Sequence, residues 1–522
     1  MKKGNVVFKA YTMDQPRLLP RNLDELIPED HLVRVVNRVV EAIDLEPLMA
    51  KYAGGGTSSY HPKMMLKVLV YAYCEKVFTS RRIEKGLREN VNFMWLAGGN
   101  VPDFRTINRF RGVVMKGEVR DIFTGVLKLL IEEGYVKLEN YFVDGTKIGA
   151  DANAHKVVWA KKTAKNKVRL EQKIQELLDE IEQVNEKENE EYGDKDLEEL
   201  GGKGGIEAEK LKAKVAELNE RLRQQPENKL LKKAVKTLEK EHLPRLEKYE
   251  KQAETLDGRS SYSQTDPDAS CMRMKEDRGA EKPWPRPAYN PQIGTEGQFV
   301  VGYSVHQSAG DPDCFIPHME QQHWPNGQKP KAASGDAAFG SEENYAYLET
   351  NQIENYLKYN TFYQDTHPPR KAERIRALSF RSENFPYDAD HDTFTCPAQH
   401  SLTYQETRSY RSKNGYLSER RNYECAECAT CPLKPQCTKA KGNRRIQVSF
   451  KLREYRRQAR KNLLSEQGIA LRKQRCIEPE TTFGDVKHNM GFRRFHLRSL
   501  EKVETEWALV CLAHNMRKLA AI

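Results

Sequence analysis

Apolar residues with heptad spacing fill the charged stretch from 165 to 250, which separates two regions with strand-like patterns. They lie at Leu170, Ile174, Leu177, Ile181 and Val184, at Leu211, Val215, Leu218 and Leu222, and at Leu231, Val235 and Leu238. Alternating spacings of four and three place such residues along one seam of a helix. Glycines between 201 and 205, and Pro226, separate the three runs. We therefore predict a helical coiled-coil insertion over 160–255, and we favour packing within the chain over a dimer contact.

Short apolar segments on both sides of the insertion are typical of β-strands. Segment 139–145 ends at Asp144 and Gly145. Similar segments follow the insertion at 297–306, 332–336 and 353–359. Strand ends in α/β sheets are common positions for ligands and metals. The pattern predicts an α/β domain that the helical segment interrupts.

The first 135 residues have a helical pattern. Asp103 is placed to cap a short basic helix over 104–111, which carries Arg105, Arg109 and Arg111. Short helices with tight turns and a basic final helix are typical of helix-turn-helix DNA-binding domains. The alternative is a helical scaffold whose arginines face water.

The chain is basic. Its 522 residues contain 86 Lys and Arg against 75 Asp and Glu, which gives a net charge of +11 at pH 7. The segment 161–250 is close to neutral, so the excess lies elsewhere, where it suits a polyanionic partner such as nucleic acid. No stretch approaches the ~20 consecutive apolar residues of a membrane span, and no apolar run follows the first residues as in a secretory signal. We expect a soluble cytoplasmic protein; an ordinary basic protein without a nucleic-acid partner is the alternative.

Five of the ten cysteines lie between 396 and 437. In a reducing compartment this spacing favours structural zinc over disulfides, because four thiolates close a tetrahedral site. The predicted zinc ligands are Cys396, Cys428, Cys431 and Cys437. Cys425 or His400 could replace one of them, and a loop with unligated thiols is the alternative.

Acidic residues in three places have the pattern of a two-metal phosphodiester site. Two Mg²⁺ ions about 3.5–4 Å apart activate the attacking oxygen and stabilise the transition state, and Mg²⁺ prefers carboxylate oxygens. Asp144 and Asp336 each end a predicted strand, and we expect a third acid from a helix within 475–489, at Glu480 or Glu478. Glu480 and Lys487 are seven residues apart, so one helix face can present a metal ligand and a phosphate-binding lysine.

The order of these motifs resembles one known family. The segments are Tyr141-Phe-Val-Asp144-Gly-Thr-Lys147, Ser334-Gly-Asp336-Ala-Ala-Phe-Gly-Ser, Ile477-Glu-Pro-Glu480-Thr-Thr-Phe483-Gly-Asp-Val-Lys487-His-Asn and Gly491-Phe-Arg-Arg-Phe-His. Together with Thr265-Asp-Pro-Asp268-Ala, Pro287-Ala-Tyr289-Asn290-Pro-Gln292 and the cysteine segment, they resemble the DDE transposases of bacterial insertion sequences. The resemblance covers nearly the whole chain.

The resemblance implies which residues carry the chemistry. It makes Asp144, Asp336 and Glu480 the three catalytic acids, and Lys487 fits the family spacing after the glutamate. The family often has an arginine four residues before that glutamate; this position is Cys476 here, and an arginine stands at 475. Both the arginine assignment and the choice of Glu480 over Glu478 therefore stay open, with Glu480 favoured.

The resemblance also implies a fold and a division into domains. The fold is a ribonuclease-H-like mixed sheet flanked by helices, with an all-α N-terminal domain, the coiled-coil insertion and a small zinc-binding insertion. The predicted domains are 1–135 for DNA binding, 136–360 for the first catalytic part with its insertion, 361–447 for zinc, and 448–522 for the last catalytic part. The first domain binds the terminal inverted repeats in this interpretation.

The sequence thus predicts a DNA transposase that cuts element ends and joins them to target DNA, using two Mg²⁺ ions (or Mn²⁺) and a structural Zn²⁺. We expect a homodimer on DNA, because two ends must be joined, and a place in the bacterial cytoplasm at the nucleoid. The predicted DNA contacts are Lys487, His488, Arg493, Arg494 and Arg498, with Arg105, Arg109 and Arg111 near the N-terminus. The alternatives are a ribonuclease-H-like nuclease without strand transfer and a non-catalytic zinc-containing DNA-binding protein.

Overall fold

Short helices form the N-terminal part of the protein in the computed structural model, which describes residues 22–52, 59–192, 206–274, 277, 284–367 and 378–522. The helices are α1 (Leu32–Ala42), α2 (Glu46–Met49), α3 (Pro62–Cys74), α4 (Ser80–Glu89), α5 (Val91–Leu96), α6 (Phe104–Arg109) and α7 (Val119–Glu132). The Asp103 carboxylate accepts a hydrogen bond from the Thr106 backbone N–H, which confirms the predicted cap of α6. One π-helical turn, Phe110–Val114, continues α6.

The helical insertion is joined to the rest of the chain through a two-stranded ribbon, β3 (Val157–Trp159) and β4 (Ser261–Ser263). Its helices are α8 (Ala160–Tyr192), α9 (Ala208–Gln224), α10 (Lys229–Thr237) and α11 (Leu243–Leu256). They bury one apolar cluster among themselves, although Leu178 is more deeply buried than the predicted Leu177. Helix α9 ends at Gln224 and a π turn at Leu238–His242 joins α10 to α11, so the shorter helices pack with the long α8 as a bundle. The predicted glycine break at 201–205 lies outside the described residues.

A mixed sheet occupies the centre of the molecule. Its strands are β1 (Asn140–Gly145), β2 (Ile148–Gly149), β5 (Ser270–Met272), β6 (Arg286–Glu296), β7 (Phe299–His306), β8 (Ala332–Gly335) and β9 (Glu354–Leu357). The main order is β2-β6-β1-β8-β9, and β5 and β7 also pair with β6. β1, β8 and β9 are mutually parallel, whereas β6 runs antiparallel to β1. A mixed α/β architecture with a helical N-terminal region therefore agrees with the prediction.

A second sheet contains most of the cysteine-rich segment. Its strands, in order, are β10 (Tyr387–Asp388), β11 (Thr393–Thr395), β12 (Ser401–Arg411), β13 (Leu417–Cys425) and β14 (Arg445–Val448). A buried cluster around Phe394, Leu402 and Tyr423 holds one end of this sheet together. Most of β12 beyond Leu402 is exposed on both faces, so β12 and β13 project as a ribbon.

Helices cover the central sheet and connect it to the N-terminal region. They are α12 (Phe315–Glu320), α13 (Glu342–Thr350), α14 (Phe362–Thr366), α16 (Phe450–Leu464), α17 (Glu466–Arg475), α18 (Pro479–Gly484) and α19 (Leu500–Leu519), whereas the short helix α15 (Lys434–Cys437) lies in the cysteine-rich segment. Helix α19 packs against both α3 and β7, and its Trp507 is fully buried. One apolar cluster consequently runs from the N-terminal helices through the sheet. Among the described helices, none has both the length and the apolar character to cross a membrane.

Candidate active site and nucleic-acid interface

The carboxyl ends of three neighbouring parallel strands bring charged residues to one edge of the sheet. Phe142 in β1 pairs with Ser334 in β8, and Asp144 and Asp336 each lie two residues beyond this pair. Gly335 in β8 pairs with Leu357 in β9, and Lys358 is the next residue. Because adjacent strands are about 4.8 Å apart, these three residues lie side by side.

The two aspartates are held by local hydrogen bonds. Asp144 is 8% exposed, and its Oδ1 accepts a hydrogen bond from the Gly145 backbone N–H. The Asp336 carboxylate accepts one from the Ala338 backbone N–H at 2.8 Å and caps the 3₁₀ turn Ala337–Phe339. Each backbone contact fixes the direction of its carboxylate at the sheet edge.

Glu478 and Glu480 have different environments at the start of α18. Glu478 is 2% exposed; its carboxylate accepts hydrogen bonds from the Gln298 backbone N–H and the Gln474 side chain. The side chain of Glu480 is 59% exposed and lies 3.8 Å from the Arg475 guanidinium. Glu480 thus offers its carboxylate on the side that faces Arg475, whereas Glu478 is bonded into the protein interior.

Arg475 lies between Asp144 and Glu480, which are far apart in the sequence. Its side chain is buried, and its guanidinium lies 3.9 Å from the Asp144 carboxylate and 3.8 Å from that of Glu480. Both distances exceed those of a hydrogen bond. The Arg475 Nε has no hydrogen-bond partner among the residues that the structure describes. A buried guanidinium with unused donors therefore stands between two carboxylates.

Glu480 and Lys487 do not share one continuous helix face. Helix α18 ends at Gly484, and a π-helical turn at Asp485–Asn489 follows it. A π turn contains more residues than an α turn, so the predicted seven-residue spacing loses its alignment. Lys487 is buried, and its Nζ donates to the Lys147 carbonyl oxygen at 3.2 Å. The lysine supports the loop after Asp144.

A polar cluster lies behind that loop. The Asp311 carboxylate accepts hydrogen bonds from Lys147 and Asn290, and more weakly from Gln292. Burial raises the pKa of Asp311, but the nearby Lys147 and the side-chain hydrogen bonds lower it further, so the net pKa lies below its usual value. Gln292 pairs with Gly145 across β1 and β6. The cluster thus anchors the residues that follow Asp144.

Lys358 is a charged residue of this edge that the sequence analysis did not select. Burial and the nearby Arg475 and Arg472 lower the pKa of Lys358, while Asp336 acts in the opposite direction. A signal was present in the sequence, since the lysine lies within the predicted strand segment 353–359, directly after Tyr356 and Leu357. Chain order alone does not show that this strand lies beside the one that leads to Asp336.

The predicted DNA contacts near the C-terminus are mostly exposed. Arg494 and Arg498 both form ion pairs with Asp151. Arg493 donates to the Lys487 carbonyl oxygen and contacts the exposed His488. Exposed ion pairs of this kind contribute little to stability, so phosphates can replace Asp151 as the partner.

The predicted basic helix near the N-terminus divides into two classes of arginine. Arg105 and Arg109 are exposed on α6. Arg111 lies in the π turn and is buried; it donates to the Tyr73 hydroxyl at 2.9 Å and to the Phe78 carbonyl at 2.7 Å. This placement argues against a direct contact between Arg111 and DNA, because the side chain is buried and both of its Nη atoms donate inside the protein.

The cysteines of the second sheet line one pocket. Its lining includes the four predicted zinc ligands together with the two alternatives, at Cys396, His400, Cys425, Cys428, Cys431 and Cys437. The Arg444 backbone N–H donates to the Cys428 sulfur at 3.3 Å. Burial raises the pKa of the Cys425 thiol to about 12. His400 forms an ion pair with Glu427, so its Nδ1 is already used.

No group of three or more His, Cys, Asp or Glu side chains within the described ranges is arranged to hold a metal ion. Neither the three acids nor the cysteine pocket forms such a group. The zinc-binding insertion is consequently not established by the geometry, although the pocket gathers the predicted thiols.

The ribbon β12–β13 lies beside the sheet edge. At its tip, Lys413 forms an ion pair with Asp313 at 2.8 Å, and the Tyr416 hydroxyl donates to Glu342 at 3.0 Å. Arg408 and Arg420 stand directly opposite each other on the two strands. Arg408 forms an ion pair with Glu406, and Arg420 lies over the Tyr410 ring, so both arginines have partners within the ribbon.

Comparison with known families identifies two parts of the chain. Residues 395–520 match the family described as a transposase DDE domain, and residues 21–112 match a transposase domain (DUF772). Both matches support a DDE transposase of an insertion sequence. A search of the curated proteins finds no match.

The two matched regions differ in which candidate residues they contain. The DDE-domain match includes Glu480, Arg475 and the cysteine segment, and the N-terminal match includes the arginines of α6. Asp144 and Asp336 lie between the matched regions. Their assignment in this transposase accordingly depends on their position at the sheet edge.

Proposed function

We propose that this transposase cuts DNA at the ends of its element and joins the released ends to a target. The observation that carries the proposal is the position of Asp144 and Asp336, each two residues beyond the Phe142–Ser334 pair of adjacent parallel strands. Arg475 adds the connection to Glu480. The proposal gives the central sheet and its helices a ribonuclease-H-like catalytic role.

The three acids would hold the metals. Asp144, Asp336 and Glu480 offer the hard oxygen donors that Mg²⁺ or Mn²⁺ prefers. When bound, two such ions activate the attacking oxygen and stabilise the charge of the phosphoryl transition state. Glu478 is excluded from the same role in the proposal, because its carboxylate is bonded to Gln298.

The proposed reaction has two steps, cleavage and strand transfer. In the first, water adds to phosphorus as the P–O3′ bond breaks; a proton leaves the water for solvent and O3′ takes one up, which gives a 3′-hydroxyl and a 5′-phosphate. In the second, the 3′-hydroxyl oxygen attacks a target phosphodiester and displaces its O3′. Arg475 holds positive charge beside the acids in both steps, and this favours the developing negative charge.

The remaining surfaces would hold the DNA. Residues 1–135, with Arg105 and Arg109 exposed on α6, would bind the terminal inverted repeats. The exposed residues from His488 to Arg498 would hold the backbone near the catalytic edge. Two ends must meet for joining, so we propose a dimer on DNA that acts in the cytoplasm at the nucleoid.

The cysteine pocket would hold a structural zinc ion. The donor set fits the metal chemically, because thiolates are preferred zinc ligands, and the N–H of Arg444 directed at the Cys428 sulfur suits a thiolate. Cys396, Cys428, Cys431 and Cys437 remain the proposed ligands, with Cys425 as the replacement. The role is to stabilise the sheet that carries the β12–β13 ribbon.

Zinc content tests this part of the proposal. Plasma emission analysis of the purified protein is expected to give about one zinc per chain, the content of a single four-ligand site. Cys428→Ser should remove the metal, whereas Cys476→Ser should keep it, because Cys476 is exposed outside the pocket. Protein that folds fully without zinc, and equal zinc content in both variants, would contradict the zinc site.

Cleavage and joining of a labelled duplex test the catalytic proposal. The duplex is taken from the end of the DNA element that carries the gene, and the reaction contains Mg²⁺. Asp336→Asn removes the charge but keeps a cap, because Asn and Asp cap equally well. We expect it to bind the duplex without cutting, while Asp390→Asn, at an exposed turn, behaves as the wild type.

The products separate the alternatives. Cleavage together with joined products in the wild type, both lost in Asp336→Asn, supports the transposase. Cleavage without joining indicates a nuclease of the same fold. Binding without cleavage by zinc-loaded wild type indicates a non-catalytic DNA-binding protein.

A further inference from the structure

Three cations lie along the catalytic edge, and we call them the cationic edge: Lys358, Arg472 and Arg475. Lys358 follows β9, and its backbone N–H donates to the carbonyl of Gly335, the residue before Asp336. Arg475 is buried beside Asp144. Arg472 lies over the Phe362 ring, 5.2 Å from its centre.

The donors of this edge are largely unused by the protein itself. Across the described residues, the Lys358 Nζ makes no hydrogen bond or ion pair. The Nε atoms of Arg472 and Arg475 likewise lack a partner there. Buried donors are normally satisfied, so an anion at this edge would find positively charged donors that the described residues do not use.

The position of Lys358 selects the anion. Asp144, Asp336 and Lys358 follow three adjacent parallel strands in that order, so Lys358 stands about one strand spacing, ~4.8 Å, from Asp336. A phosphodiester held at the two aspartates has further phosphates on either side along the same strand. Lys358 therefore lies where the next phosphate of that strand passes.

We propose that Lys358 binds a backbone phosphate of the DNA strand that is cut, next to the phosphate held at Asp144 and Asp336. This inference rests on the proposed function, because it takes the strand from that site. The ammonium group donates to a non-bridging phosphate oxygen and sets the position of the strand along the sheet edge. Arg475 and Arg472 supply the neighbouring positive charge.

Salt dependence of DNA binding is the first test, and it needs no cleavage. The labelled end duplex is titrated without divalent metal at several KCl concentrations, with wild type, Lys358→Gln, Lys358→Arg and the control Lys331→Gln. Lys331 stands just before β8, at the opposite end of the sheet, where it pairs with Glu139 at the surface. Each Gln variant removes one charge. We expect the slope of log affinity against log salt to fall by about 0.9 for Lys358→Gln alone.

Neutral phosphates locate the contact. Single methylphosphonates are placed at each phosphate flanking the cut bond. One position should weaken wild-type binding roughly tenfold, as expected for loss of a charge-assisted hydrogen bond, and should not weaken Lys358→Gln further. Lys358→Arg should restore both the slope and the sensitivity to this position. Thermal unfolding confirms that each variant is folded.

The outcomes separate this proposal from the proposed function. An unchanged slope in Lys358→Gln, with the wild-type methylphosphonate profile, overturns the phosphate contact even if the wild type cleaves. The expected slope and profile without wild-type cleavage in Mg²⁺ keep the contact and overturn the catalytic proposal. If Lys358→Gln binds DNA as the wild type does but needs less Mg²⁺ for cleavage, Lys358 acts on the metal site. This result also overturns the phosphate contact. Absence of wild-type DNA binding overturns both proposals.

Discussion

The Glu478 carboxylate accepts a hydrogen bond from the backbone N–H of Gln298 at 2.7 Å. This bond ties the start of α18 to the turn between β6 and β7, and it buries a charged group that a second donor, Gln474, also satisfies. Glu480 lies two residues later and projects toward Arg475 and solvent. The two neighbouring glutamates therefore serve different purposes, one in stability and one in the proposed chemistry.

Exchange of each glutamate for glutamine is expected to separate these purposes. Glu480→Gln should lower cleavage more than about a hundredfold, because the proposed metals contribute several kcal/mol to the transition state, and should leave the melting temperature unchanged. Glu478→Gln should instead cost about 1–3 kcal/mol of stability, the price of a weakened buried hydrogen bond to a charged acceptor. Single-turnover cleavage and thermal unfolding of both variants measure this. The opposite pattern would make Glu478 the third acid.

Arg111 and Arg109 are expected to differ in the same manner. Arg111→Met should destabilise the protein by about 2–4 kcal/mol, because it leaves the buried Tyr73 hydroxyl and Phe78 carbonyl without their donor. Arg109→Met should leave stability unchanged and reduce the salt slope of DNA binding by about 0.9. Urea unfolding and binding titrations test the pair. Unchanged stability of Arg111→Met, with weaker DNA binding, would return Arg111 to the DNA surface.

Local signals in the sequence predicted much of the fold. Asp103 caps its helix as expected, because a cap depends on residues only two or three positions away. The strands that lead to Asp144 and Asp336 were also predicted, since an apolar run before an acid is visible in the chain. Arg111 was predicted to contact DNA but is buried. Local spacing could not show this, because its partners Tyr73 and Phe78 come from an earlier helix and the loop after it.

The candidate acids and Arg475 were selected from the sequence, but Lys358 was not. Asp144 and Asp336 lie at the ends of recognisable strands. Lys358 is placed beside Asp336 only by the pairing of β8 with β9. A single sequence does not show the order of the strands in a sheet. The alignment of Glu480 with Lys487 was predicted from α-helical periodicity, whereas the structure has a π turn after Gly484, which changes that periodicity. Such turns depend on tertiary packing that local spacing does not show.

Stability is expected to fall in mild acid because of one half-buried and one buried histidine, His306 and His318. Burial lowers the pKa of His306 to about 4 and that of His318 well below its usual value. Unfolded His306 takes up a proton below about pH 6.5 while the folded form does not, so the unfolded state binds more protons in this window. Stability therefore rises with pH between about 4 and 6.5, by up to about 1.4 kcal/mol per pH unit for each histidine.

Urea unfolding at several pH values measures this dependence. His306→Gln should reduce the slope by about one proton, because Gln cannot titrate. His155→Gln is the matched control, because His155 is exposed in a turn. An equal slope in the wild type and His306→Gln would show that His306 is protonated in the folded protein.

Removal of the helical insertion is expected to leave the remaining protein folded and its oligomeric state unchanged. The insertion enters and leaves through β3 and β4, where the Ala160 backbone N–H donates to the Ser260 carbonyl at 3.0 Å. An Asn-Gly pair in place of residues 161–259 can close this ribbon as a tight hairpin turn. The bundle buries its apolar residues within the chain, so its loss exposes no seam that a second copy covered. Light scattering with and without the end duplex measures the oligomeric state, and thermal unfolding shows whether the deletion variant is folded. Loss of the DNA-bound dimer in a folded deletion variant would assign the dimer contact to the insertion.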